Sequence, residues 1–114
     1  MLKKGLSLVL ASIIATAAIT TTASASVKKG QKYYLKDCKS CHGTGTKGAA
    51  MLDQDEWDEM FANDNEEIKA VHEDSEDSRA IKYFNSKKFD RHAPHLRDFL
   101  YEYGADSGNV PACG

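Results

Sequence analysis

The residues of this chain best equipped for chemistry are Cys38-Lys39-Ser40-Cys41-His42. Two thiols three positions apart share one side of a helical turn, and an imidazole follows directly. This C-x-x-C-H spacing is the attachment signature of a c-type haem. The two sulfurs reach the two vinyl groups and form thioethers, and the histidine lies under the iron as its proximal ligand. The other ring nitrogen of His42 then needs an acceptor, expected from a backbone carbonyl between residues 43 and 50. Competing chemistries fit less well. Structural zinc needs four ligands, typically with a second C-x-x-C or an H-x-x-x-H, and the chain has neither. A thioredoxin-like redox pair belongs in a βαβ setting, and strand-like alternation is absent here. A plain Cys38–Cys41 disulfide leaves His42 without a role.

The compartment agrees with the motif. Residues 1–25 hold two lysines, no acid and a mostly apolar stretch from Leu6 to Ile19, ending in Ala23-Ser24-Ala25. This is the pattern of a secretory signal cut after Ala25, and the apolar stretch is shorter than the roughly 20 residues of a spanning helix. The expected home is the periplasm, where c-type haem is attached. Cleavage leaves 89 residues with all 17 acids and 13 of the 15 bases, so the formal charge moves from −2 to −4. A chain of this size makes one small domain, and its acidic balance argues against nucleic-acid binding. At this length a protein-only core is marginal and is often supplemented by a cofactor.

Apolar residues recur at helical spacing, which predicts an all-α fold wrapped around the haem. Val27 to Cys38 reads as a first helix and Gly43 to Gly48 as a loop. Asp53 caps a helix to about Ala62, with Trp57, Met60 and Phe61 on one face. Shorter helices are expected at Glu66 to His72 and Ser78 to Phe84. The last helix is expected to start at Pro94, where proline suits the first position. It carries Leu96, Phe99, Leu100 and Tyr103 and stops at Gly104. The division is a signal at 1–25, one haem domain at 26–104 and a small, polar, extended tail at 105–114. Asp53 to Asp77 contains twelve acids and one base, and Arg79 to Arg97 six bases and one acid. That asymmetry reads either as solvated helix faces or as a dipolar surface that steers docking.

Gly30, Tyr34, Cys38, Cys41 and His42 resemble the amino-terminal helix of the small class I cytochromes c, with a glycine eight residues and an aromatic four residues before the first haem cysteine. The resemblance implies a last helix that crosses the first, packing a leucine and an aromatic three residues later against Gly30; Leu100 and Tyr103 can play those parts. Gly48 to Leu52 loosely resembles the family's proximal loop without its proline. Trp57 or a nearby Lys or Arg is a candidate partner for a haem propionate. The departure concerns the sixth iron position, where the family has a methionine shortly before the last helix, and here no methionine follows Met60. His92 lies nearest that place and is the first candidate for the distal ligand, with His95 and Met60 as alternatives. Met51 follows His42 too closely to reach the opposite face, and His72, set among acids, is expected to be exposed. An unfilled position is the remaining option. Bis-histidine ligation gives a lower potential than His/Met.

These residues describe a periplasmic carrier of one electron with one covalent haem c, rather than an enzyme. Its partners are periplasmic or membrane redox proteins, a dehydrogenase as donor and an oxidase or reductase as acceptor. Cys113 is left over. It is an incidental tail residue, a link in a disulfide dimer, or, by a weak resemblance to Cys-Gly-ended sulfur carriers, a thiol arm for sulfur chemistry. A haem sensor or ligand-binding protein is a further alternative and requires an open sixth position.

Overall fold

Six helices account for the regular structure of the described residues, among which there is no strand. The computed structural model describes residues 18–113. The expected signal therefore lies largely outside the described residues. Helix α1 spans Ala18–Asp37, α2 Lys39–His42, α3 Gly45–Ala49, α4 Gln54–Ala70, α5 Ser78–Phe84 and α6 Lys87–Glu102. Among the described residues no helix is long and apolar enough to cross a membrane.

The frame is a crossing of α1 and α6. A Cβ added to Gly30 would lie 1.9 Å from the His95 carbonyl oxygen and 2.7 Å from Phe99 Cβ, so only glycine lets the backbones approach this closely. The expected pair against this glycine, Leu100 and Tyr103, is displaced by one turn. Leu96 and Phe99 show the same leucine–aromatic spacing, and it is Phe99 that meets Gly30. Along α6 the buried residues are Phe89, Ala93, Leu96, Phe99 and Leu100, one stripe at helical spacing. Phe89 and Phe99 are fully enclosed.

Helix α6 begins well before Pro94. Ser86 caps it, its hydroxyl accepting from the Phe89 N–H at 3.2 Å, and the helix runs through Pro94. Proline removes the backbone bond to the Asp90 carbonyl; burial of the stripe on both sides of it outweighs that loss. The helix ends at Glu102, with Gly104 as a spacer rather than a left-handed stop: a Cβ there would lie 3.1 Å from the Gln54 backbone nitrogen.

Helix α4 is two arms. Asp53 and Glu56 form a reciprocal capping box at its start. Asn63, Asp64 and Asn65 then take φ of 52°, 61° and 64°, a left-handed turn that Asn and Asp tolerate better than most residues. The arms match the expected helices on either side of this break, and α5 matches its expected span. The tail is packed back rather than extended. Ala105 N–H donates to the Leu52 carbonyl at 2.9 Å, Gln31 Nε2 donates to the Ala112 carbonyl at 2.8 Å, and Pro111 is buried.

Candidate functional site

Cys38, Cys41 and His42 occupy the junction between α1 and α2. Cys38 N–H still donates to the Tyr34 carbonyl at 2.8 Å, closing the last turn of α1, and His42 N–H donates to the Cys38 carbonyl at 3.0 Å. Gly43 follows with φ of +84°, which lets the chain reverse immediately behind the imidazole. Tyr34, only 2% exposed, secures that reversal: its hydroxyl donates to the Gly43 carbonyl at 2.8 Å, with the Thr44 carbonyl at 3.2 Å. Among the described residues the His42 ring has no hydrogen-bond partner. Of the carbonyls between residues 43 and 50, where the acceptor is expected, those of Gly43 and Thr44 accept from Tyr34.

These three residues line a cavity of about 720 Å³, within the size range of cofactor sites. Leu52, Trp57, Ile68, Phe84 and Leu100 supply apolar wall, and Lys36 and Arg79 are cations on its lining. Trp57 donates its single indole N–H to the Ala49 carbonyl at 2.8 Å, so it has none left for a propionate. Arg79 is paired with Asp77 at 2.8 Å. The two motif cysteines are free thiols, Cys38 half-buried and Cys41 exposed. Burial, with the Asp37 and Cys41 charges adding to it, pushes the Cys38 thiol up to about 12, so it remains S–H at neutral pH. Burial first, and His72 second, hold His42 below its ordinary value and favour the neutral imidazole, the form that donates a lone pair to a metal.

The donor set fits a covalently held haem: two thiols and an imidazole at one end of an apolar chamber with cations at its edge. The remaining sequence candidates separate. Met51 and Met60 line the cavity, Met51 being 55% exposed. His92 and His95 are absent from its lining. His92 stacks on Tyr33, ring centroids 3.7 Å apart, with its Nδ1 2.8 Å from the Tyr83 hydroxyl and 3.6 Å from Asp37. His95 Nδ1 lies 2.8 Å from the Ser26 hydroxyl. The reason is the early start of α6. His92 is held within a helix, on the side turned to α1, instead of standing in a loop free to reach inward.

His72, expected to be exposed, is half-buried in the cavity lining. It follows the second arm of α4, and its ring centroid lies 6.0 Å from that of His42 with the planes at 86°. A sequence signal existed. His72 stands four residues after the buried Ile68. The chain keeps turning past the end of α4, the His72 N–H donating to the Lys69 carbonyl at 3.2 Å, which leaves it on the same side.

The family model described as cytochrome c oxidase, cbb3-type, subunit III matches residues 25–93. No curated protein and no solved structure matches the chain.

Proposed function

The chain belongs to this cytochrome c family, and from that premise we propose that it is an exported monohaem c-type cytochrome that carries single electrons between redox proteins outside the cytoplasmic membrane. Family membership makes it a haem-binding electron carrier. The observation that carries the finer reading is the C-x-x-C-H motif opening into an apolar cavity. Cys38 and Cys41 would hold the haem through thioethers, each formed by adding a thiol S–H across a vinyl double bond, with no leaving group and no electron consumed. His42 would be the proximal ligand. When bound, the haem supplies a one-electron ferric/ferrous couple. The polypeptide fixes the ligand, excludes water with its apolar wall, and leaves Cys41 at the surface where a partner can approach.

Export with cleavage after Ala25 is compatible with the contacts of the residue that would then come first. The Ser26 hydroxyl donates to Asp98 at 2.6 Å and meets His95, so a chain beginning there keeps its contacts with α6. The donor we propose is a dehydrogenase and the acceptor an oxidase or reductase.

The test is the intact mass of the protein purified from cells that attach c-type haem, read together with a pyridine haemochrome spectrum. The expected result is a chain starting at Ser26 plus one haem that resists acid-acetone extraction, lost in the Cys38→Ser/Cys41→Ser variant. Extractable haem, or none, would overturn the proposal.

A further inference from the structure

His42 is one of two histidines facing the same cavity. The second, His72, is oriented from two directions. Its Nδ1 lies 2.7 Å from the Ile68 carbonyl, and because a carbonyl oxygen can only accept, Nδ1 must carry the hydrogen. The lone pair is thereby placed on Nε2, the arrangement found when a ring is oriented for a metal. Phe84 stacks on the ring with centroids 4.1 Å apart and planes 20° from parallel, limiting its rotation.

Two imidazoles on opposite sides of one metal ion have ring centres roughly 6 Å apart, since each metal–nitrogen bond is about 2 Å long and each ring centre lies about 1 Å beyond its nitrogen. The His42 and His72 centroids are 6.0 Å apart. No other histidine lines the cavity, since Tyr33 and Tyr83 hold His92 and Ser26 holds His95. Met51 and Met60 also line the cavity, but Met51 is 55% exposed and Met60 is packed against the hydrophobic core. Neither is oriented toward His42 by a hydrogen bond and a stacked ring as His72 is.

We infer that His72 is the sixth ligand of the haem iron, making this a bis-histidine cytochrome in place of the His/Met arrangement that the resemblance implies. The inference rests on the haem-binding reading above. With both axial positions filled by imidazole, the protein exchanges electrons without binding small ligands at iron. It also lacks the thioether that favours the ferrous state and raises the potential.

Optical and electron paramagnetic resonance spectra of the purified haem-loaded protein, with carbon monoxide added to the reduced form, test this. The wild type is expected to be low-spin in both oxidation states, without the weak far-red band of a thioether-ligated ferric haem, and slow to bind carbon monoxide. His72→Ala is expected to become high-spin and to bind carbon monoxide readily, with added imidazole restoring the low-spin spectrum. His92→Ala is expected to keep the wild-type spectrum. His72→Met is expected to gain the far-red band and shift the potential upward. A thioether band in the wild type, or an unchanged low-spin spectrum in His72→Ala, would overturn the inference even with covalent haem present. If His72→Ala accumulates poorly, the wild-type spectrum and His72→Met still decide. Absence of covalent haem from the wild type would instead defeat the cytochrome reading itself.

Discussion

Tyr34 is where a single side chain does most to position the motif. Its place four residues before Cys38 was legible as part of the haem-motif helix, but its hydrogen bonds were not, because the carbonyls of Gly43 and Thr44 come within reach only after the chain reverses. Gly48 packs against the same ring so closely that a Cβ there would meet the hydroxyl at 2.0 Å. Tyr34→Phe keeps the ring and leaves the two carbonyls without this donor. Loss of a buried hydrogen bond of this kind costs about 1–3 kcal/mol, expected as a lower midpoint in denaturant for the haem-loaded protein followed by circular dichroism. The histidines show the opposite balance. Proximity to Pro94 pointed to His92 as the distal candidate, yet a side chain's reach depends on helical phase, and the phase of α6 turns His92 onto Tyr33. The acids around His72 implied exposure, although its spacing from Ile68 pointed inward.

At the scale of elements, local signals were readable wherever a cap or breaker acted alone. The Asp53 cap, the break after Phe61 and the span of α5 all rest on chemistry within a few residues. Pro94 misled because a favourable first-turn residue is tolerated mid-helix when both flanks are buried. The α1–α6 crossing yields a sharp expectation. Gly30→Ala places a methyl group 1.9 Å from the His95 carbonyl oxygen, and since backbone must give way, destabilisation of about 3 kcal/mol or more follows, measurable by thermal unfolding of the haem-loaded protein. Helix α5 adds a pH dependence. Hydrogen bonds from the Arg79 side chain, then from its backbone, hold the Asp77 carboxyl down at about 2. Because the folded value is depressed, the stabilisation is complete above the unfolded value of about 3.9 and is lost as pH falls through about 2. Asp77→Asn should therefore be less stable than wild type at pH 6, with the gap narrowing in acid and closing below the folded value. Urea midpoints across that range check it.

For the molecule as a whole, one side of the hydrophobic core opens on the cavity: Tyr34, Trp57, Ile68, Phe84 and Leu100 line it, while Phe89 and Phe99 are enclosed behind them. The apolar wall of this space of about 720 Å³ stays in contact with water unless the haem covers it, and the stabilisation that its burial would supply is then missing. The Cys38→Ser/Cys41→Ser chain without haem is accordingly expected to show no cooperative thermal transition; a sharp calorimetric peak from it would contradict this. The charge asymmetry is moderated in the fold. Arg97 pairs with Asp58 and Arg79 with Asp77, each joining a base of the basic stretch to an acid of the acidic one. The Lys69–Asp90 pair at 3.1 Å instead joins the minority charge of each stretch and leaves their excesses standing.

The amino-acid sequence by itself pointed to the haem chemistry of the C-x-x-C-H motif and carried the all-helical class and the bounds of α4 and α5, because each depends on residues a few positions apart. The early starts of α1 and α6 and the short helix α3 in the stretch read as a loop were not legible there. Tertiary structure alone decided which histidine faces His42 across thirty positions, which leucine–aromatic pair meets Gly30, and how the tail returns to Gln31. Those outcomes depend on the phase and crossing of helices distant in sequence, where a shift of one turn exchanges the side chain that points inward for one that does not.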